Sequence, residues 1–167
     1  MKTVTIISAN AEWRVMKELY PHLEIQNSPY GEFAEHTFDA QPVILFHGGW
    51  GKISAAASTQ YVIDRFQPEL IVNLGTCGGF EGSIERGTII LVEKTIVYDI
   101  IEQMSDPDEA IEYYSTEMDM SFLPRILPVP VLRGLLVSAD RDIVSTDIPA
   151  LIEKYNAVAA DWESGAI

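Results

Sequence analysis

The segment Glu69–Leu74 is apolar apart from Asn73 and lies between two stretches of very different character. Before it runs Ile53–Phe66, a helical stretch whose first two turns are rich in small residues: Ser54, Ala55, Ala56, Ala57 and Ser58. After it comes a glycine turn, Gly75-Thr76-Cys77-Gly78-Gly79. A continuous apolar strand is the mark of a sheet covered on both faces. Small helix residues let a helix lie close to such a sheet, and Pro68 ends the helix before the strand begins. Helix, buried strand and glycine turn in that order predict an α/β fold.

The rest of the chain repeats the alternation. Val4–Ser8 is a β-branched run, and Ala11–Tyr20 follows it with helical spacing, giving a β–α opening. Phe33–Asp39 and Val43–Phe46 read as two strands joined around Ala40-Gln41-Pro42, and the glycine-rich turn His47–Lys52 leads into the alanine-rich helix. Thr88–Ile101 reads as a long strand or two, ending in Tyr98-Asp99, and Leu132–Ser138 as another buried strand. Asp147 ahead of Pro149 marks a helix start, Asn156 its close, and Ala157–Trp162 a last strand. Between Met104 and Pro130 acidic residues and four prolines break every period, which predicts an excursion away from the sheet. Alternating helices and buried strands imply a largely parallel sheet, and 1–167 is expected to form a single domain.

Composition removes several classes of function. The net charge of −14 repels phosphate backbones and anionic lipid heads, so neither nucleic acid nor a membrane surface is an expected partner. Solubility alone also accounts for that charge. No apolar run reaches the roughly 18 residues of a membrane span, and Glu12 and Arg14 follow the first apolar run too soon for a signal peptide. The one cysteine, Cys77, excludes an internal disulfide framework and fits a cytoplasmic location. His22, His36 and His47 have no metal-ligand spacing, so no metal and no cofactor are expected.

Ligands of open α/β sheets sit beyond the carboxyl ends of strands. Here those ends are Ser8–Glu12, His47–Lys52, Gly75–Gly79, Tyr98-Asp99 with Ser138–Asp142, and Asp161–Glu163. The turn Gly75–Gly79 suits either a positive-φ bend or a nest of backbone N–H groups facing a ligand. Neither the dinucleotide fingerprint nor a Walker loop is present in Gly48-Gly49-Trp50-Gly51-Lys52.

Several motifs in order carry a family likeness. They are Gly49-Trp50-Gly51-Lys52 before the alanine-rich helix, Asn73–Phe80, Gly87–Ile90 with Tyr98-Asp99, Arg133–Asp140, and Ala157–Ile167. Together they resemble the purine nucleoside phosphorylase/nucleosidase superfamily, most nearly the 5′-methylthioadenosine/S-adenosylhomocysteine nucleosidases. The resemblance implies a three-layer α/β/α sandwich around a mixed, partly closed sheet, and hydrolysis of the N-glycosidic bond of a purine-type nucleoside. It implies that Thr76 faces the ribose and the attacking nucleophile, that Cys77 and Gly78 line the base, and that Trp162 packs on the ribose. Glu163 would take the ribose 2′- and 3′-hydroxyls, a role open to an acceptor-only carboxylate. Asp161 precedes them at the same strand end and is grouped with the substrate contacts. Glu12 is the water-activating base if a one-residue shift is allowed, and otherwise that position falls on Trp13. A glutamate at a helix entry is also a common structural choice.

Other implications stay open beside these. Phosphorylases of the superfamily place an arginine where Asn73 stands, which favours water as nucleophile, while Arg14 keeps a phosphate-dependent phosphorylase in view. The family's purine-protonating Asp falls on a strand beyond Ile167, and Asp142 stands where a base-stacking Phe is usual. The fold is therefore expected to be C-terminally incomplete, and a catalytically inactive nucleoside-binding or scaffold protein is a further alternative. Related enzymes are oligomers, and a homo-oligomer, with a dimer favoured, is expected.

Overall fold

The computed structural model describes residues 1–167. Two compact units make up the chain: Met1–Thr76 with Ala166–Ile167, and Cys77–Gly165.

The first unit is built on one central strand. β1 (Thr3–Ile7) leads into α1 (Asn10–Leu19), followed by β2 (Gln26–Ser28), β3 (Gly31–Phe38), β4 (Gln41–His47), α2 (Lys52–Phe66) and β5 (Leu70–Asn73). The strand order is β2-β3-β4-β1-β5. β1 runs parallel to β4 and to β5, whereas β2–β3 and β3–β4 are antiparallel. Because side chains alternate across a strand, β1 and β4 feed two cores. Val4, Ile6, Ile44 and Phe46 pack with Phe33 and with Val62 and Phe66 of α2. Ile7 and Leu45 pack with Trp13 and Met16 of α1. This sheet thus lies between two helices, in the layering that the resemblance implies. The buried positions of α2 are Ala55, Ser58, Thr59, Val62 and Phe66, one stripe at helical spacing, and its small members bring the helix close to the sheet.

The second unit repeats the plan. Its elements are β6 (Gly78–Gly79), β7 (Ile90–Val97), α3 (Pro107–Tyr113), β8 (Ser115–Glu117), β9 (Leu132–Ser138), α4 (Ile148–Tyr155) and β10 (Ala157–Asp161), with a short 3-10 turn at Ser164–Ala166. The strand order is β6-β10-β9-β7-β8, with β9 parallel to both β7 and β10 and the outer pairs antiparallel. Phe80, Ile96, Ile111, Val137, Leu151, Ala157 and Ala160 form its core. Asp147 is the N-cap of α4, and Asn156 closes the helix in the left-handed conformation at φ 54°.

Four expectations need correction. Antiparallel pairs are as many as parallel ones, because β2 and β3 extend one side of the first sheet and β6 and β8 form the two edges of the second. β5 is an edge strand, and its apolar residues Leu70, Ile71 and Val72 are only half-buried instead of covered on both faces. β7 ends at Val97, short of Ile101. The Met104–Pro130 stretch does contain structure: α3 starts on an Asp106 N-cap that accepts the Asp108 N–H at 2.9 Å, and β8 pairs with β7. Three residues of strand and seven of helix are too short to impose a visible period.

One glycine is set by close approach. A Cβ on Gly31 would lie 2.0 Å from the His47 carbonyl oxygen, which is backbone and cannot swing aside. Gly31→Ala is expected to lower stability by about 1–3 kcal/mol through overpacking, read as a lower urea midpoint at unchanged m-value.

Candidate functional site

In the first unit the register of β1 aligns three strand ends. Ile7 lies opposite His47, and Ile6 opposite Asn73, so the loops after β1, β4 and β5 leave the sheet at one level. The loop after β1 is only Ser8 and Ala9, the N-cap of α1, which places Glu12 at the third helical position. There the carboxylate turns back, and Oε2 accepts the Ala9 N–H at 3.3 Å. Its other oxygen accepts both the Thr76 N–H at 2.6 Å and the Thr76 hydroxyl at 2.7 Å. Gly75 permits this closure, since a Cβ there would lie 3.0 Å from Glu12 Oε2. Glu12 and Thr76 are 64 residues apart in sequence and form one hydrogen-bonded pair.

Trp13, the other position considered for the base, is in the core. Its ring stacks on His47 at 5.3 Å with planes 6° apart, and its Nε1–H donates to Glu32 at 2.6 Å. Lys17 donates to the same carboxylate oxygen at 2.8 Å. The hydrogen bonds from Lys17 and then Trp13 hold the Glu32 carboxyl below its usual range. Burial holds the His47 imidazolium below the usual histidine range, partly opposed by Glu32. The His47 Nε2 is buried without a hydrogen-bond partner. His47 therefore has the environment of a packed, neutral histidine. Arg14 is exposed on α1.

In the second unit β9 aligns the ends of its neighbours in the same way. Val97 and Asp161 both lie opposite Ser138. Gly78 and Gly79 pair with Ala160 and Ala159, so the glycine turn runs along the strand that ends in Asp161, and Cys77 ahead of it is exposed. Trp162 and Glu163 follow that strand and are half-buried. The Asp161 carboxylate accepts hydrogen bonds from the Ser138 and Ser164 hydroxyls and from the Ser164 N–H at 3.2 Å. Burial pushes the Asp161 carboxyl above its usual range, and the serine hydrogen bonds oppose that shift. Arg141 lies over the Tyr98 ring at 5.3 Å and pairs with Asp147 at 2.6 Å. Asp142 is exposed.

Ser164 is absent from the sequence-derived candidates. Its signal is local: in Asp161-Trp162-Glu163-Ser164 an aspartate precedes a serine by three residues, the spacing at which a carboxylate accepts a backbone N–H in a turn.

Strand ends carrying paired polar side chains, on mixed sheets packed against helices, define an α/β protein of the kind that binds ligands beyond its parallel strands. The chain is a member of the phosphorylase superfamily, whose family model matches residues 3–167. It is similar to the 5′-methylthioadenosine/S-adenosylhomocysteine nucleosidase of Buchnera aphidicola subsp. Schizaphis graminum, at 29% identity over 178 residues spanning all of this chain and 76% of that relative. The nucleosidase of Bacillus pumilus is 32% identical over 91 residues, 54% of this chain and 39% of the relative. Among solved structures, the Campylobacter jejuni 5′-methylthioadenosine/S-adenosylhomocysteine nucleosidase superposes with a TM-score of 0.80 at 17% identity, covering 99% of this chain and 77% of that one. Futalosine hydrolase of Helicobacter pylori gives 0.77 at 15% identity, covering 99% and 79%. These two likenesses are of fold.

The His47 environment sets a pH dependence. Its folded-state pKa is below the ordinary 6.5, so the unfolded chain binds the proton more readily. The His47 contribution is complete above pH 6.5 and is lost as pH falls toward the folded value. Denaturant titrations from pH 7.5 to 5 are expected to show stability declining below pH 6.5, with a shallower decline in His47→Gln.

Proposed function

We propose that this chain hydrolyses the N-glycosidic bond of a purine-type nucleoside related to 5′-methylthioadenosine and S-adenosylhomocysteine, the compounds named in its relatives. The observation that carries this reading is the Glu12–Thr76 pair, held at 2.6 and 2.7 Å within a chain that matches the family over residues 3–167.

Cleavage of the bond between sugar and base passes through a sugar with oxocarbenium character, while negative charge gathers on the departing base. A hydrolase needs a carboxylate that orients water and receives its proton, and the departing base must take a proton from an acid or from water to leave neutral. Glu12 suits that work. Its carboxylate is fixed by the Ala9 and Thr76 donors rather than free to rotate, and fixed geometry is what converts a nearby water into an aligned nucleophile. In this reading Thr76 borders the ribose, Cys77 and Gly78 present backbone groups to the base, Trp162 packs against the sugar, and Glu163 accepts its hydroxyls. Asp161 stands at the strand end that carries those last two residues.

Water is favoured over phosphate by charge. Asn73, at the end of β5, is neutral, and a phosphate brought to Glu12 would meet a carboxylate with no arginine supplied from that strand end. We further read the chain as one functional domain, located in the cytoplasm and acting as a homo-oligomer. The exposed single cysteine agrees with a reducing compartment. No helix is long and apolar enough to cross a membrane.

Incubation with 5′-methylthioadenosine or S-adenosylhomocysteine is expected to release free adenine. Glu12→Gln keeps the shape and removes the base, so kcat is expected to fall by about 100- to 10,000-fold with little change in KM. Undiminished adenine release by Glu12→Gln would remove the role given to this carboxylate.

A further inference from the structure

The hydrogen bonding around Asp161 goes further than its place at a strand end. The Ser138 hydroxyl, the Ser164 hydroxyl and the Ser164 N–H, which reaches both oxygens at 3.2 Å, all donate to this one carboxylate. A carboxylate offers about four lone-pair sites, and the four contacts these donors make occupy them. No acceptor site is left over for a sugar hydroxyl. Asp161 was grouped with the substrate contacts from sequence, and its bonding speaks for a different task.

The donors come from two places that must be held together. Ser138 is the last residue of β9, whereas Ser164 belongs, with Glu163, to the turn that follows β10. Ser138 also works in the opposite sense, since its Oγ accepts the Gly165 N–H at 2.9 Å. The backbone adds a further tie, with the Ala139 N–H donating to the Asp161 carbonyl at 3.1 Å. The N–H of Ser164, in the peptide unit of the Glu163 carbonyl, thus points at Asp161. The backbone position of Glu163 is set by the carboxylate two residues before it.

We infer that Asp161 is a positioning residue, which locks the turn 161–165 through Ser138 and Ser164 so that Glu163 meets the sugar diol in a fixed geometry. This rests on the reading that Glu163 holds the diol. Side chains that grip a ligand gain affinity when their supporting contacts hold them in the bound geometry beforehand. A carboxylate in this place serves better than an amide, because it accepts from every donor and returns none. Asn would present one N–H₂ group to other donors, and Ala would release the turn altogether.

The test separates sugar grip from base binding. Calorimetry on the whole chain measures dissociation constants for adenine and for formycin A, an adenosine analogue whose carbon–carbon glycosidic bond is not hydrolysed. The ratio of the two constants reports the contribution of the sugar. Glu163→Ala is expected to abolish most of the preference for the nucleoside. Asp161→Ala is expected to reduce it by about tenfold or more, the scale of a lost charged hydrogen bond, with adenine affinity unchanged. Asp161→Asn and Ser164→Ala fall between, and the double variant Asp161→Ala/Glu163→Ala is no worse than Glu163→Ala alone, since both remove the same grip. If Glu163→Ala loses the preference while folded Asp161→Ala keeps it, the positioning role is overturned and the diol reading survives. If Asp161→Ala does not fold, full preference in both Ser164→Ala and Asp161→Asn overturns it equally. If Glu163→Ala keeps the preference, the diol reading fails and the inference falls with it.

Discussion

Parallel pairing on both sides of a central strand is the constraint from which the functional geometry follows. β1 does this for the first unit, with Ile7 opposite His47 and Ile6 opposite Asn73. β9 does it for the second, with Ser138 opposite both Val97 and Asp161. Parallel strands in register end at the same level and leave their last carbonyls and first loop residues on one edge. Residues far apart in sequence then meet there without any special loop: Glu12 with Thr76, and Asp161 with Ser138. Had a central strand paired antiparallel, its neighbours would end on the opposite edge and the pair at that strand could not form.

The two carboxylates at these edges differ in how they are held. Glu12 is bonded through one oxygen to Thr76 and through the other to the helix entry, and it remains half-buried. Asp161 lies deeper, and burial pushes its carboxyl up while serine hydroxyls and turn N–H groups draw it down. Burying a charge is costly unless hydrogen bonds replace lost water. A carboxylate so fully surrounded suits a structural clasp, whereas one with a single hydroxyl and two amides around it retains capacity for a water. Similar chemistry at two strand ends is therefore suited to two different tasks.

Much of this was legible from sequence, and what was not has physical causes. The Asp147 start and Asn156 close of α4 are local events, set by a cap and a left-handed residue, and local signals read well. The turn between β3 and β4 was legible too, but it lies at Asp39 and Ala40, both with positive φ, ahead of the expected Ala40-Gln41-Pro42, since Gln41 and Pro42 pair with Phe38 and Thr37. The small-residue face of α2 is likewise local. Strand neighbours are not local. An apolar run such as Leu70–Val72 carries the same signal in the middle of a sheet as at its edge, so the half-exposure of β5 was not readable. α3 and β8 lie in an acidic, proline-broken stretch and are too short to show a period. At the candidate site, Glu12 and Thr76 both follow from the family likeness, but their hydrogen bond joins residues 64 apart in sequence and carries no local signal. Ser164 escaped notice because a serine after a glutamate looks like any surface turn until Asp161 is seen to hold it.

The central chemical claim is that a glutamate fixed by Thr76, with the neutral Asn73 at the end of β5, selects water as the nucleophile. The most direct measurement is phosphorus NMR of the whole chain turning over 5′-methylthioadenosine in phosphate buffer, with adenine release followed in parallel. Hydrolysis predicts adenine formed at the same rate with or without phosphate, and no new sugar-phosphate resonance. A pentose 1-phosphate signal growing in step with adenine, and no release when phosphate is withheld, would contradict it.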